Sequence, residues 1–184
     1  GRCTFLSMTF DQYIPLAVRT ESPRSSCSEQ NRLLHAAMGA MTESVELMGF
    51  TDQSNLTEEL GDICWYIAIA ADTIKPVDFE PVVTRVLDSL RQGVAIRNLC
   101  EQSSHLLDMT KKNVFYGKQI DKVAFAQTCQ LIIELIKSIC NMNGIQFSNV
   151  LAANIRKLQV RYPEKYSDHN ADSRDLYLER KALV

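Results

Sequence analysis

Four acidic residues on two apolar segments constrain the fold of this chain more than any other feature. Glu43 and Glu46 form an E-x-x-E pair, and Glu59 and Asp62 form an E-x-x-D pair. Residues three apart project from one face of an α-helix, so two such helices packed together bring four carboxylates into one small volume. Repulsion and desolvation would raise their pKa values or unfold the site unless cations neutralised them. The spacing therefore predicts a packed pair of helices that binds a cation.

The residues around the acids indicate that both segments are largely buried. After Asp62 the sequence is almost continuously apolar as far as Ala71, and small residues before Glu43 allow close helix packing. All-oxygen ligation suits Mg²⁺ or Mn²⁺, which usually share their coordination with substrate phosphates. We therefore expect a metal-dependent enzyme that acts on phosphate esters or anhydrides. The alternative is a helical interaction module whose acids only decorate a solvated face.

Composition and charge exclude several other classes. The chain has 184 residues, 46% of them apolar, which is enough to bury a core as one domain or as two fused small units. A net charge of -2 argues against nucleic-acid binding by bulk electrostatics. The longest apolar stretches contain Asp, Glu or Lys, so we expect no segment of transmembrane length.

The cysteines and the first residues bear on the setting of the protein. None of the six cysteines forms a C-x-x-C pair, and Cys64, Cys129 and Cys140 fall within apolar segments as small core residues. This usage predicts a reducing, cytoplasmic location. Residues 1–7 precede Met8 and are interpreted as an expression remnant; no secretory signal is visible, and the domain is expected over residues 8–184.

Apolar periodicity predicts helices almost everywhere and no strand, so the expected fold class is all-α. Glycines 49, 117 and 144 and the Lys75-Pro76 pair mark helix ends. Plausible N-terminal caps are Ser28, Ser54 or Asn55, Asp121 and Ser148. The expected helices cover residues 10–19, 28–48, 56–74, 81–112, 122–143, 148–161 and a short terminal segment at 173–182.

Sequence motifs extend well beyond the acids. The second acid pair lies in Asn55-Leu-Thr-Glu-Glu-Leu-Gly-Asp-Ile-Cys-Trp-Tyr66, and Asn154-Ile-Arg-Lys-Leu-Gln-Val-Arg-Tyr-Pro163 lies towards the other end. Phe10-Asp-Gln-Tyr13 begins the first expected helix. Together with the E-x-x-E and E-E-x-x-D spacing, these motifs resemble those of the MazG-like, all-α nucleotide pyrophosphohydrolases, especially the small phage and bacterial forms. The resemblance covers about residues 10–180.

The resemblance implies an activity and a cofactor. Members of this family convert a nucleoside triphosphate and water into the monophosphate and pyrophosphate, and metal-activated water attacks the α-phosphorus. By this resemblance Mg²⁺ is the expected cofactor, with Mn²⁺ as a substitute. The expected metal ligands and catalytic residues are Glu43, Glu46, Glu59 and Asp62. The expected partner is a nucleoside triphosphate, with no nucleic acid and no membrane.

One departure from the family pattern indicates a duplication. In the single-unit form the E-x-x-E helix continues to an Asp, a Lys-Lys pair and a Tyr-Gly-Lys turn, whereas here Glu46 is followed by Leu-Met-Gly-Phe50. The missing element stands at Asp108-Met-Thr-Lys-Lys-Asn-Val-Phe-Tyr-Gly-Lys118, which places Gln102 and His105 where the family has its first acids. We therefore expect two fused MazG-like units: an acid-bearing unit at about 28–75 and a degenerate unit at about 81–161, followed by a tail at 162–184.

The two units would pair as a four-helix core with flanking helices, as a pseudo-dimeric monomer or within a homodimer. In this arrangement the phosphates of the substrate need cationic partners. Asn154, Lys157 and Arg161 recur on one helical stripe, while Tyr66 and His35 could border the nucleoside. The expected substrate-binding residues are Lys111, Lys112, Lys118, Asn154, Lys157, Arg161, Tyr66 and His35.

Two further functions stay open at the level of the sequence. A degenerate family member could bind nucleotides as a non-catalytic regulator, although the four retained acids speak against this. A signalling nucleotide could also be the true substrate. The repulsion among the carboxylates further predicts that removing any one of them would leave the melting temperature unchanged or raise it.

Overall fold

The computed structural model describes residues 7–75 and 91–184, and all regular structure in these two ranges is helical, without a strand. The predicted all-α class is therefore confirmed. Residues 1–6 and 76–90 lie outside the described residues, and with them most of the expression remnant and the first ten residues of the helix expected at 81–112. The helices are α1 (Phe10–Val18), α2 (Glu29–Leu47), α3 (Gln53–Ile74), α4 (Gln92–Tyr116), α5 (Lys122–Met142), α6 (Phe147–Arg161), α7 (Asp168–Asp172) and α8 (Leu176–Lys181).

Side-chain caps explain where several helices begin. Ser28 accepts a hydrogen bond from the backbone N–H of Asn31, and Asp121 accepts one from Ala124, as predicted. The cap predicted at Ser54 or Asn55 is wrong, because Asp52 caps α3 one turn earlier. The cap predicted at Ser148 is also wrong, since α6 begins at Phe147 after Gln146, which makes no capping bond. The predicted terminal helix corresponds to α8, and α7 precedes it as an additional short helix that was not predicted.

Helix α3 lies at the centre of the fold and carries the second acid pair. It packs against α1, α2, α5 and α6. Its apolar positions, including Leu60, Ile63 and Ile67, are buried, which is why the sequence after Asp62 is so rich in apolar residues. Burying α3 on several sides fixes the positions from which Glu59 and Asp62 project.

Helix α2, which carries the first acid pair, packs between α3 and α4. Ser44 and Ser103 bring α2 and α4 together, with their hydroxyl oxygens 3.0 Å apart. Short connections join α2 to α3 and α4 to α5, and Gly117 ends α4 in the left-handed conformation with φ 63°. The four long helices thus form two hairpins, while their origin as two copies of one unit stays a prediction.

Helix α5 corrects one expectation from the sequence. By length and composition it could cross a membrane, although 56% of the stretch concerned is buried inside the bundle. This burial is typical of a core helix of a soluble protein, and Cys129 and Cys140 of α5 are buried there as predicted. The apolar character of α5 follows from its packing against α3, α4 and α6.

Candidate metal and phosphate site

Three of the four predicted acids lie together where α2 meets α3. Oxygen atoms from Glu43, Glu46 and Glu59 all lie within 4.8 Å of one another. Glu59 is buried and Glu46 is exposed, with Glu43 between these extremes, so the cluster opens towards solvent along one edge. Three carboxylates at this separation form an anionic oxygen donor set of the kind that binds a hard divalent cation.

The surroundings of the cluster oppose negative charge on two of its members. Burial, together with the charges of Asp62, Glu46 and Glu59, raises the pKa of Glu43 to about 8. Burial also raises the pKa of Glu59, although a 2.8 Å hydrogen bond from the Asn55 amide opposes this shift. A bound cation would offset the burial and the repulsion that raise the pKa of these carboxylates. The donor set therefore fits Mg²⁺ or Mn²⁺.

Asp62, the fourth predicted acid, is held by helix α6. Lys157 Nζ lies 2.5 Å from Asp62 Oδ1 and 2.6 Å from Oδ2, and the Asn154 amide donates to Oδ1 at 2.9 Å. The Asn154 side chain is fixed in turn by the buried Tyr13 hydroxyl, which donates to its Oδ1 at 2.7 Å. Since Asn154 accepts from Tyr13 with its oxygen, its nitrogen must point towards Asp62. This chain of contacts fixes the orientation of the Asp62 carboxylate.

A cavity of about 360 Å³ lies beside these acids. Glu43 and Asp62 line its acidic wall, and the cations of the cavity come from α6 and from the segment before α8. We call this space the site cavity. The side chains that line it and bear on function are Glu43, Asp62, Lys157, Arg161, Arg174, His35, Trp65 and Tyr66.

Three aromatic rings form one side of the site cavity. The rings of His35, Trp65 and Tyr66 meet edge to face, with centroids 5.0–5.9 Å apart. Tyr66 reaches this position because residue 39 is glycine: a Cβ there would overlap the Tyr66 ring. Burial lowers the pKa of His35, and its Nδ1 has no hydrogen-bond partner within the described residues. The predicted nucleoside residues Tyr66 and His35 are thus neighbours at the site cavity.

The structure divides the predicted phosphate-binding residues into two groups. Lys157 and Arg161 line the site cavity and Asn154 lies beside it, but Lys157 is already paired with Asp62. Lys111 and Lys112 instead pair with the exposed Asp108 on α4. They lie at least eight residues beyond Ser103, which is about 12 Å along the helix axis from the contact of α4 with α2.

Lys118 follows the end of α4 and lies farther still in the same direction. The Lys118 carbonyl accepts a hydrogen bond from Asn113, whose Oδ1 accepts one from Gln30 at the beginning of α2. Gln30 lies 13 residues before Glu43, or about 20 Å along α2. The structure therefore does not bring Lys111, Lys112 and Lys118 to the acids, contrary to the expectation that they bind the substrate there.

Arg174 and Glu179 are among the residues at the site that were not identified from the sequence. Glu179 of α8 is buried, and it accepts hydrogen bonds from both Arg161 and Arg174. Arg174 and Glu179 do not belong to a periodic pattern that shares a helix face with the acids. The short helix α7 separates them from α6. The signal that could have identified them is the unusual presence of alternating charges in an otherwise unpatterned tail.

A second and larger cavity lies away from these residues. It measures about 710 Å³ between α1, α3 and α5, and mostly apolar side chains line it. None of the predicted site residues contributes to its walls. Size alone would favour this cavity, but the predicted residues Glu43, Asp62, Lys157, Arg161, Tyr66 and His35 line the smaller site cavity, which is therefore the candidate functional site.

Comparisons of the chain with protein-family models, with curated proteins and with solved structures give no significant match.

Proposed function

We propose that the chain is a metal-dependent nucleoside triphosphate pyrophosphohydrolase of the MazG-like type. It would convert a ribo- or deoxyribonucleoside triphosphate and water into the monophosphate and pyrophosphate. The observation that supports this most is the clustering of Glu43, Glu46 and Glu59, because Glu43 also lines the site cavity, which Arg161 and Arg174 line as well. In such a cavity the carboxylates can bind the metal ion and the arginines can bind the phosphates of a metal–polyphosphate complex.

The proposed cofactor is Mg²⁺, with Mn²⁺ as a substitute, held by Glu43, Glu46 and Glu59. When bound, the cation supplies Lewis-acid activation of water and neutralises phosphate charge. Asp62 is included in the proposed site because it shares the site cavity with Glu43 and its charge contributes to the raised pKa of Glu43.

The remaining residues orient the site and bind the substrate. Tyr13 and Asn154 fix the Asp62 carboxylate, and Lys157 balances its charge without being free to hold a phosphate. Arg161 presents a guanidinium to the site cavity for the phosphate chain. Tyr66 and His35, whose rings meet edge to face, form an aromatic boundary for the nucleoside.

The wider proposals rest on the same resemblance. Helices α4, α5 and α6 lie in the stretch of about 81–161 that is interpreted as the degenerate second unit, which takes the structural place that a second subunit has in a homodimer of single-unit relatives. The proposed setting is the cytoplasm of a bacterium or a phage-infected cell. No nucleic acid or membrane is proposed as a partner.

The test is an analysis of products from a panel of nucleotides, including signalling nucleotides, with and without Mg²⁺. We expect pyrophosphate and a monophosphate in equal amounts, only when the metal is present. Glu46→Ala should lower kcat/KM by about 10² or more because it removes one carboxylate of the cluster. Glu101→Ala is the matched control, since Glu101 is exposed on α4 and contacts Arg97.

Two outcomes would contradict the proposal. One is orthophosphate as the sole inorganic product. The other is activity that is undiminished in excess chelator.

A further inference from the structure

The buried carboxylate of Glu179 holds two arginine side chains in fixed positions. Arg161 donates from Nε to Oε1 at 3.0 Å and from Nη2 to Oε2 at 2.7 Å. Arg174 binds the same two oxygens at 3.3 and 2.7 Å. Because Glu179 is only 2% exposed, this arrangement is sheltered from solvent on the carboxylate side. Two guanidiniums share one carboxylate, so the trio carries a net positive charge.

Both arginines retain hydrogen-bonding capacity that faces away from Glu179. Each uses Nε and Nη2 for the carboxylate, and neither Nη1 donates to another group in residues 7–75 and 91–184. Both side chains also line the site cavity, as do the carboxylates of Glu43 and Asp62. The excess charge of the trio therefore lies at the wall of the site cavity.

The third cation of the site cavity does not compete for this role. Lys157 is 97% buried at its side chain and is bound to both oxygens of Asp62. Its charge is thus balanced within the acidic wall. The cationic groups available to an anion in the site cavity are the guanidiniums of Arg161 and Arg174, whose planar donors suit phosphate oxygens.

We propose that Arg161 and Arg174, positioned by Glu179, form the binding site for the pyrophosphate portion of the substrate. This inference rests on the proposed function for the identity of the anion, because a cavity lined by acids and by two guanidiniums suits a phosphate chain that bridges a cation and the arginines. The site cavity of about 360 Å³ has the size of a small-molecule site. The C-terminal segment that carries Arg174 and Glu179 is then part of the substrate site.

A purely structural role for the arginines makes a different prediction. Helix α8 packs against α6, so the contacts of Glu179 could serve only to attach the two helices. Arg156 provides a matched comparison because it lies on α6 and donates from Nε to the Ala182 carbonyl at 2.9 Å, directly after α8. It supports the same attachment but does not line the site cavity.

The test is calorimetric titration of inorganic pyrophosphate into the full chain in the presence of Mg²⁺. We expect Arg174→Gln to weaken pyrophosphate binding at least about tenfold, because a charge-assisted bidentate contact is lost. Arg174→Lys should recover only part of the affinity, since the lysine keeps the charge but cannot donate from a planar fork. Arg156→Gln should lower the melting temperature without changing the affinity.

The proposed pyrophosphate site can be wrong while the proposed function is right, and the reverse. Three results would overturn the inference even when triphosphates are hydrolysed. The unmodified chain does not bind pyrophosphate, Arg174→Gln binds it as tightly as the unmodified chain, or Arg156→Gln weakens binding as much as Arg174→Gln does. If pyrophosphate binding depends on Arg174 but no triphosphate is hydrolysed, the anion site stands and the proposed function is wrong. Circular dichroism and thermal melting of each variant verify that the comparison is made on folded protein.

Discussion

Lys157 and Asp62 form a close ion pair between α6 and α3, with the lysine nitrogen 2.5 and 2.6 Å from the two carboxylate oxygens. The side chain of Lys157 is 3% exposed, whereas that of Asp62 is 26% exposed. The lysine thus depends on Asp62 for most of its charge compensation, with Glu58 as a weaker partner at 3.3 Å. The stability of the fold therefore depends on Asp62, which is also an acid of the candidate site.

Replacing Asp62 should therefore destabilise the protein. We expect Asp62→Ala to lower the free energy of unfolding by about 1–3 kcal/mol, because it leaves a buried ammonium group poorly paired. Glu46→Ala, at an exposed position of the cluster, should leave stability unchanged or raise it. Urea unfolding of both variants, with Lys157→Met and the Asp62→Ala/Lys157→Met pair as a double-mutant cycle, measures the coupling. An Asp62→Ala variant as stable as the unmodified chain would restore the expectation that carboxylate repulsion dominates.

Glu43 should make stability fall as the pH rises. Its pKa in the folded protein is raised to about 8 from an ordinary value of 4.5, so the folded state retains a proton that the unfolded state has lost. The free energy of unfolding should decrease between about pH 4.5 and 8, and the slope attributable to Glu43 should vanish in Glu43→Gln. The measurement is urea unfolding at several pH values, with Glu101→Gln as the control. Equal pH slopes for the Glu43→Gln variant and the unmodified chain would contradict this assignment.

Mg²⁺ should reverse part of this loss. A cation held by the cluster favours the ionised carboxylates, so it should raise the melting temperature more at pH 8 than at pH 6. Thermal melts with Mg²⁺ or with chelator at the two pH values measure the difference. The Glu43→Gln variant should show a smaller effect of Mg²⁺, whereas an effect of equal size would place the cation elsewhere.

Glu179 has the opposite pH dependence. The two arginines lower its pKa to about 2 despite its burial, so the ionised form stabilises the fold. This contribution is complete above the ordinary value of 4.5 and is lost as the pH falls towards 2. We expect Glu179→Gln to be less stable by about 2–3 kcal/mol at pH 7 and to show less further loss in acid. Unfolding at pH 7, 4 and 3 tests this, with Glu164→Gln at an exposed position as the control.

Gly39 should tolerate no side chain. A Cβ at this position would overlap the Tyr66 ring, so Gly39→Ala must displace the ring or separate α2 from α3. We expect a loss of about 1–3 kcal/mol, as for other overpacked sites. Gly93→Ala is the matched control: Gly93 also lies in a helix, but an added Cβ meets no atom within 4 Å, so alanine should stabilise by up to about 1 kcal/mol. If the two variants unfold alike, the contact between Gly39 and Tyr66 is unimportant.

The sequence predicted what depends on local periodicity. The E-x-x-E and E-x-x-D spacings placed Glu43, Glu46 and Glu59 on helix faces that meet in the structure, because the adjacent apolar residues of α2 and α3 are buried where the two helices pack. Ser28 and Asp121 were identified as caps because capping uses neighbouring residues. The same reasoning gave the burial of Cys64, Cys129 and Cys140.

Periodicity does not determine which distant side chains become partners. The pairing of Asp62 with Lys157 joins residues 95 positions apart, and the hydrogen bond from Tyr13 to Asn154 joins residues 141 apart. Both depend on how α1 and α6 pack against α3. The position of Lys111, Lys112 and Lys118 away from the acids likewise depends on the alignment of α4 along α2, which no local pattern specifies. Arg174 and Glu179 lie in a tail without helical periodicity, so only the folded chain identifies their role.

Trp65 gives the molecule an optical property of practical value. It is the single tryptophan of the chain, and it lines the site cavity in contact with the rings of His35 and Tyr66. Hydrogen bonds from its Nε1 to the Ala17 carbonyl and the Thr20 hydroxyl fix the indole in place. All tryptophan fluorescence of the protein therefore originates at the site cavity. A ligand that enters the site cavity alters the surroundings of the only tryptophan, so its arrival can be followed in real time without attaching a dye.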